Sequence, residues 1–308
     1  MNEQHWARQT ERGNGIFLHL TRLIVLYFPL PVIRFVTFWI VLYFFLTSRL
    51  MRKYIAVYQQ RLCQTCPFVD LPAHAVFRQF LNFGEAIADR FAVWQGKIRY
   101  QDVIIDDQDN LCEEMNAVGK RGQILLCAHF GNVEISRALI KNERHPNFCL
   151  NILVHHRHAA VFNRALHAAG ADELSLIQVD ELDARKMLEL HQRIERGEWI
   201  AIAGDRIPLH GEKTETVNFL GQSAVFPQGV WLLSSLLKAP VNTIFCLKEQ
   251  GRYRLQLRRF CPAIAGRGKI RRQNIHQAMQ KYADELAKEC AKNPLLWFNF
   301  YDFWNRQP

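Results

Sequence analysis

The distribution of hydrophobic and polar positions divides the chain into an apolar N-terminal segment and a longer remainder in which the two alternate. From Leu23 to Thr47 the sequence has 25 residues with a single charge, at Arg34. A helix of this length can cross the hydrocarbon core of a bilayer. Pro29 and Pro31 interrupt the segment, so a kinked or re-entrant helix is one alternative, and a buried core helix is another. Its many aromatic side chains favour a lipid interface, and we expect residues 1–62 to form a membrane-associating segment.

Basic residues follow the apolar segment directly. Arg49, Arg52, Lys53 and Arg61 lie just downstream, and by the positive-inside rule they place the rest of the chain on the cytoplasmic side. A secretory signal peptide fits poorly, because the apolar region is too long and no small-residue cleavage site follows it. The sequence therefore predicts a protein of the inner (cytoplasmic) membrane whose main domain faces the cytoplasm.

The remainder, residues 63–308, alternates short apolar runs with segments of helical periodicity. The strand-like runs are Ile124–Ala128, Leu150–Val154, Ser175–Val179, Trp199–Ala203 and Val241–Leu247. Asp183–Arg196 is a predicted helix ended by Gly197, and Pro227–Lys238 is another, with proline in its first turn. Short strands that alternate with helices predict one α/β domain with a mostly parallel central sheet flanked by helices.

Two side chains suited to acid–base chemistry follow the first of these strands, in the stretch LLCAHFGNVE. His129 ends the apolar run, and Glu134 lies five residues later. On a regular helix the two would point in different directions, but a strand-to-helix turn at Gly131 and Asn132 would bring them together. His129 would then act as a general base toward a substrate hydroxyl or amine, and Glu134 would orient its ring. The alternative is a polar residue after a strand and an ordinary first-turn glutamate.

A second candidate cluster follows the predicted strand that ends at Ala203. Asp205 and Arg206 come directly after Gly204. Because the active sites of parallel sheets lie beyond the carboxyl ends of the strands, we expect them at the same edge as His129. A guanidinium such as that of Arg206 is suited to bidentate phosphate binding. A surface ion pair is the alternative.

The remaining candidates for substrate contacts are supported by position alone. Asn163 and Arg164 lie on a predicted helix that follows a strand, where they would face the same cleft. Phe226, Pro227 and Gly229 surround a predicted helix start, where they would line an acyl channel or simply pack.

A metal site is not favoured by the spacing of histidines and cysteines. His155, His156 and His158 are close in sequence, but no HExxH motif accompanies them. Cys63 and Cys66 form a single CxxC without a second pair, and the other cysteines lie scattered, several in apolar runs typical of small core residues in a reducing compartment. We expect neither a metal nor a cofactor.

The charge balance indicates an anionic partner. The formal net charge is +10 and the pI is near 9.3. The stretch RYRLQLRRF, residues 252–260, predicts a strand with one basic face, suited to an anionic membrane surface or an acidic carrier protein; a solvated edge strand is the alternative. The tail LLWFNFYDFW, residues 295–304, is typical of interfacial anchoring or of a hydrophobic lid. Nucleic-acid binding would explain the charge but not the apolar N-terminus, so we expect no nucleic acid.

Together these residues resemble the lysophospholipid acyltransferase superfamily, in its branch of bacterial lipid A biosynthesis late acyltransferases. The family pattern of a histidine, four residues and an acid is matched by His129 and Glu134, where many members have Asp. Other matching elements are GDRxP at 204–208, FLG at 219–221 and FPxG at 226–229. The resemblance covers roughly residues 120–250 and extends to the N-terminal segment and the aromatic tail.

The resemblance implies an acyl-thioester-dependent acyltransferase. Its donor would be acyl carrier protein or coenzyme A carrying a fatty acyl group, and its acceptor a lipid or glycolipid. His129 would deprotonate the acceptor, Glu134 would orient His129, and Arg206 with Arg164 would bind a phosphate. Two alternatives remain: a thioesterase or lipid hydrolase that uses the same pair on water, and a non-catalytic membrane module that presents a basic surface to a partner enzyme.

Overall fold

The computed structural model describes residues 27–94, 96–133, 135, 147–154, 175–179, 182–207 and 213–305. At its N-terminal end, the helices α1 (Leu30–Thr47) and α2 (Arg49–Thr65) meet at a bend of 93°. Within the described ranges no single helix has the length and apolarity to cross a membrane, and α1 and α2 meet those criteria only as a bent pair. Within the expected 25-residue apolar segment, α1 is an 18-residue helix that ends at Thr47, while residues 23–26 lie outside the described ranges.

Helix α3 (Ala75–Trp94) joins α1 to the rest of the protein. Its Gly84 faces α1 so closely that a Cβ at this position would stand 2.4 Å from the Cγ2 atom of Val41. The opposite face of α1 is open: Phe35 is 64% exposed and Trp39 is 54% exposed. Helix α1 therefore packs firmly on α3 with one side and presents aromatic side chains on the other.

The main domain is built on a seven-stranded sheet with the order β1-β9-β8-β2-β5-β3-β4. Its strands are β1 (Val103–Asp107), β2 (Ile124–Cys127), β3 (Leu150–Val154), β4 (Ser175–Gln178), β5 (Trp199–Ala203), β8 (Val241–Glu249) and β9 (Arg252–Cys261). Neighbouring strands pair in parallel, except β8 with β9. The predicted α/β class and the mostly parallel sheet are confirmed.

Helices cover both faces of this sheet. They are α4 (Leu111–Asn116), α5 (Ala184–Glu195), α6 (Gly229–Leu237) and α7 (Gly268–Lys292). Because successive strand residues point to opposite faces, Leu126 of β2 packs into the larger core with α5, α6 and α7. Leu125 packs into the smaller core with α4 and the end of α3. The position of Asp183 as the start of α5 is confirmed, since its side chain accepts a 2.7 Å hydrogen bond from the Lys186 amide.

A two-stranded hairpin, β6 (Thr214–Phe219) and β7 (Gln222–Pro227), lies apart from the main sheet. The helix expected to begin at Pro227 begins instead at Gly229. The reason is that Pro227 is the last residue of β7 and pairs with Thr214. The sequence prediction of a helix start was therefore two residues early, and the hairpin itself was not predicted.

The basic stretch at residues 252–260 forms strand β9, as predicted, but its charges have partners. Arg254 pairs with Glu249 at 2.9 Å, Arg258 with Asp106 at 2.7 Å, and Arg259 with Glu114 at 2.8 Å. Strand β9 also lies between β1 and β8, so it is not an edge strand. Acids from β1, α4 and the end of β8 thus neutralise much of the basic face that the local pattern indicated.

Candidate active site

The sheet register brings His129 and Asp205 together. Strands β2 and β5 are parallel neighbours, and Cys127 at the end of β2 lies opposite Ala203 at the end of β5. His129 and Asp205 each lie two residues beyond these ends, at the carboxyl edge where active sites of such sheets are found. The residue before Asp205 is Gly204, which packs closely against Leu126 of β2: a Cβ at this position would stand 2.5 Å from the Cδ1 atom of Leu126.

The two side chains form a hydrogen-bonded dyad. The Nδ1 atom of His129 lies 2.8 Å from Oδ1 of Asp205, and the backbone amide of His129 donates to Oδ2 of the same carboxylate at 3.0 Å. The Asp205 side chain is fully buried, whereas 36% of the His129 side chain is exposed. One carboxylate therefore holds both the backbone and the ring of His129, while the ring keeps an open side.

The carboxylate of Asp205 has two further partners, both from the C-terminal tail. Trp297 donates from Nε1 to Oδ2 at 3.2 Å, and Asn299 donates from Nδ2 to the same oxygen at 3.0 Å. The sequence analysis missed these residues, because it noted only the aromatic content of the tail. The polar Asn299 within WFNFYDFW was the available signal.

Gly131 and Asn132 shape the turn after His129, while Glu134, which this turn was predicted to bring to His129, lies outside the described residues. Gly131 has a φ of +65°, and a Cβ at this position would stand 2.1 Å from the carbonyl oxygen of Cys246. The Asn132 amide donates to that same carbonyl at 2.8 Å. The Asn132 side chain is buried, donates to the Ala86 carbonyl at 3.0 Å and accepts from Arg90 at 3.3 Å. Both residues therefore fix the turn to β8 and α3.

Three predicted site residues, Glu134, Asn163 and Arg164, lie outside the described residues, as do His155, His156 and His158. Among the described residues, no three His, Cys, Asp or Glu side chains converge in a way that would hold a metal ion.

The guanidinium of Arg206 contacts the C-terminal tail. Its Nε donates to Oδ1 of Asn299 at 2.8 Å, and its Nη2 donates to the Phe298 carbonyl at 2.6 Å. Arg206 was predicted to bind a phosphate. In the structure its guanidinium links the residues after β5 to the C-terminal tail.

The residues predicted around the second helix start pack within the protein. Phe226 is buried, and its ring contacts Phe219, Tyr282 and Phe303 edge-on. Pro227 is the last residue of β7, and Gly229 is the first residue of α6. For Phe226 this arrangement corresponds to the packing alternative.

Burial and charge set the protonation of the dyad. Burial and the charge of Arg206 lower the pKa of His129, and together they outweigh the opposing effect of Asp205. Burial alone would raise the pKa of Asp205, but the charge and hydrogen bonds of His129 and the charge of Arg206 outweigh it, so this pKa is lowered. At neutral pH the carboxylate is therefore ionised and the imidazole neutral, with its proton on Nδ1 and the Nε2 lone pair able to accept a proton.

Comparison with known proteins identifies the family. No curated protein matches the chain significantly. The family model described as bacterial lipid A biosynthesis acyltransferase matches residues 72–306, which is more than half of the chain. The chain therefore belongs to the bacterial lipid A biosynthesis acyltransferase family, a family of membrane-associated lipid acyltransferases, as the resemblance of its motifs predicted.

Proposed function

We propose that the protein transfers a fatty acyl group from an acyl thioester, carried by acyl carrier protein or coenzyme A, to a hydroxyl or amine of a lipid or glycolipid acceptor. The observation that carries the proposal is the His129–Asp205 dyad, in which a neutral imidazole with one open side is held by a buried carboxylate. This is the arrangement of a general base and its orienting acid.

The reaction follows from the protonation of the dyad. The Nε2 atom of His129 removes the proton from the acceptor hydroxyl or amine as that group attacks the thioester carbonyl carbon. The new C–O or C–N bond forms, the C–S bond breaks, and the imidazolium returns the proton to the leaving thiolate. Asp205 stabilises the imidazolium between these two steps, because it is ionised and lies 2.8 Å from Nδ1.

The orienting role assigned here to Asp205 was expected for Glu134. Since Nδ1 of His129 is hydrogen-bonded to Asp205, the Glu134 carboxylate could act only on the Nε2 side of the ring or on the substrate. Glu134 remains a candidate for that second position, and Asn163 and Arg164 remain candidates for contacts to substrate, Arg164 to a phosphate. In this proposal the main role of Arg206 is to hold the C-terminal tail, through its hydrogen bonds to Asn299 and to the Phe298 carbonyl.

We further propose that α1 lies in the interface of the inner membrane, with the main domain on the cytoplasmic side. The exposed face of α1 carries Phe35, Trp39 and Tyr43, and the exposed Arg49 and Lys53 follow at the bend, where they would meet anionic headgroups. Because α1 packs on α3, this face keeps a fixed position relative to the dyad.

The two alternatives predict different behaviour. A thioesterase or lipid hydrolase would release free fatty acid without acylating an acceptor, and the open side of His129 would then receive water. A non-catalytic membrane module would depend on the basic face of β9 and not on His129. The ion pairs of Arg254, Arg258 and Arg259 weaken that second alternative.

The decisive experiment compares His129→Ala with a matched control, His276→Ala. His276 also pairs through Nδ1 with a carboxylate, Glu215, at 2.8 Å, but on the surface. We expect His129→Ala to lower acyl transfer in washed membranes by about 10²–10⁴-fold, with the acylated lipid lost and its precursor accumulating in mass spectra. His276→Ala should retain activity. A folded His129→Ala variant with normal transfer would refute the proposal.

A further inference from the structure

The C-terminal strap, defined as Leu296–Asn299, crosses the loop that carries His129. The Phe298 amide donates to the His129 carbonyl at 2.7 Å, and the Gly131 amide donates to the Leu296 carbonyl at 2.8 Å. Phe130 and Trp297 form an antiparallel bridge between these two bonds. The strap therefore pairs with the catalytic loop along its whole length, although the two are remote in sequence.

The strap also determines which oxygen of Asp205 is left for the histidine ring. Oδ2 accepts from three groups that can only donate or are oriented to donate: the His129 amide, Trp297 Nε1 and Asn299 Nδ2. Oδ1 accepts from His129 Nδ1. With its second oxygen committed in this way, the carboxylate has one orientation, and that orientation fixes the ring.

The direction of the Asn299 amide is itself determined by a group that cannot accept a hydrogen bond. A guanidinium has donors only, so the atom of Asn299 that faces Arg206 Nε at 2.8 Å must be Oδ1. The other end of the amide is then Nδ2, which donates to Asp205. Arg206 thus donates to Asn299 and Asn299 donates to Oδ2 of Asp205, while His129 donates from Nδ1 to Oδ1 of the same carboxylate.

The strap is held on its other side by two buried glutamines. Gln79 of α3 donates from Nε2 to the Trp297 carbonyl at 2.7 Å, and Gln59 of α2 donates to Gln79 Oε1 at 2.9 Å. Both side chains are buried. The strap is therefore clamped between the two helices and the dyad, which restricts the movement of Trp297 and Asn299.

We propose that Asn299 and Trp297 are positioning residues of the acyl-transfer reaction, which fix the His129–Asp205 dyad in the orientation that leaves Nε2 as the base. The proposal rests on the proposed function of His129. Neither residue touches the reacting atoms; both act through the carboxylate of Asp205.

Three variants test this role: Asn299→Ala, Asn299→Asp and Trp297→Phe, with Trp304→Phe as the matched control. Trp304 lies in the same tail, and its Nε1 donates to the Phe219 carbonyl at 3.2 Å instead of to Asp205. We expect Asn299→Ala and Trp297→Phe to lower kcat by about 10- to 100-fold, the loss of one hydrogen bond to a charged group, with KM for both substrates nearly unchanged. Trp304→Phe should keep the wild-type kcat.

A pH profile separates positioning from a purely structural role. When Oδ2 of Asp205 loses a donor, more of its negative charge acts on His129, so the pKa of the ring rises. The acid limb of the kcat profile should therefore move to higher pH in Asn299→Ala and in Asn299→Asp, each of which removes the amide donor to Oδ2. Selective ¹⁵N labelling of histidine, read in detergent, should show a protonated Nδ1 in the wild type, and the titration of these ring signals should move to higher pH in Asn299→Ala.

The outcomes distinguish this proposal from the proposed function. If the wild type transfers acyl groups and His129→Ala does not, while folded Asn299→Ala and Trp297→Phe keep the wild-type kcat and acid limb, the strap has no positioning role. If the wild type transfers no acyl group, the proposed function fails, and the ring ¹⁵N titration still decides whether Asn299 acts on His129 through Asp205. A His129 ring that titrates at the wild-type pH in Asn299→Ala would overturn the proposal.

Discussion

Replacing Asp205 with asparagine tests the catalytic geometry with a small change of shape. The pocket around Oδ2 contains three donors, from the His129 amide, Trp297 and Asn299. An asparagine would therefore turn its carbonyl oxygen toward them and its amino group toward Nδ1 of His129. Since that amino group can only donate, Nδ1 would become the acceptor and the ring proton would move to Nε2. The base would then face the acceptor substrate with a proton already in place.

The expected loss is large because two effects act together. Asp205→Asn inverts the tautomer and removes the negative charge that stabilises the imidazolium. A general base contributes about 10²–10⁴-fold to a rate, and the same inversion in a serine protease triad lowers kcat by about 10⁴-fold. We therefore expect kcat for acyl transfer to fall by about 10³–10⁴-fold, or about 4–5.5 kcal/mol in activation free energy. KM should change little, since Asp205 is fully buried.

The assay is steady-state acyl transfer in washed membranes or detergent, with thermal unfolding measured alongside to show that the variant folds. Glu134→Gln is the informative companion. If Asp205 orients His129, Asp205→Asn should be much the more harmful in kcat with an unchanged fold. A well-folded Asp205→Asn variant with kcat within a few-fold of the wild type, together with a severe loss in Glu134→Gln, would refute the assignment.

Three further predictions follow from the same structure. The lowered pKa of His129 means that the neutral base persists as the pH falls, so the acid limb of kcat/KM should lie below about 6.5, the value of a free imidazole; a limb at higher pH would contradict it. Gly131→Ala should lower the free energy of unfolding by about 2–5 kcal/mol, because a positive φ and a contact with the Cys246 carbonyl combine. Gly119→Ala is the control: its φ is +78° but the space around it is open, so it should lower the same free energy by only about 1 kcal/mol. Chemical denaturation measures both, and equal losses would show that the close contact is unimportant. Trp39→Ser should weaken membrane binding by about 1.5–3 kcal/mol, roughly 10- to 100-fold, because the variant lacks the exposed ring that would be buried in the bilayer. Sedimentation with lipid vesicles at high salt measures this binding, and an unchanged value would contradict the interfacial placement of α1.

The sequence indicated at which edge of the sheet the candidate site lies but not which side chains meet there. His129 and Asp205 could both be placed just beyond apolar strands, because strand ends are visible in the local pattern. The order of strands in the sheet pairs β2 with β5 and places Cys127 opposite Ala203. No local pattern encodes this order. The motif spacing therefore drew attention to Glu134, five residues from His129, while the acid at Nδ1 came from a separate strand.

The same limit applies to charge. The arginines of β9 form a basic face in the sequence, but the acids that pair with them belong to β1, α4 and the end of β8. A local charge pattern reports the side chains that one segment contributes, whereas the electrostatic character of a surface depends on every segment that reaches it. For this reason strand β9 was predicted correctly and its charge was overestimated.

Two aromatic-rich segments show how similar composition leads to opposite locations. Both α1 and the tail after Leu295 appeared suited to a membrane interface. In the tail, the polar groups of the aromatic residues find partners within the protein: Trp297 donates to Asp205 and Trp304 to the Phe219 carbonyl. The rings pack around Phe219 and Phe303.

Helix α1 contrasts with this tail, because its aromatic rings include several that remain open to solvent, such as Trp39 and Tyr43. Aromatic content alone therefore does not separate an anchor from a core. The difference lies in neighbouring segments that offer acceptors, which for the tail are Asp205 after β5 and the Phe219 carbonyl of β6. In the proposed function, the tail thus completes the site around His129, while α1 supplies the surface suited to lipid.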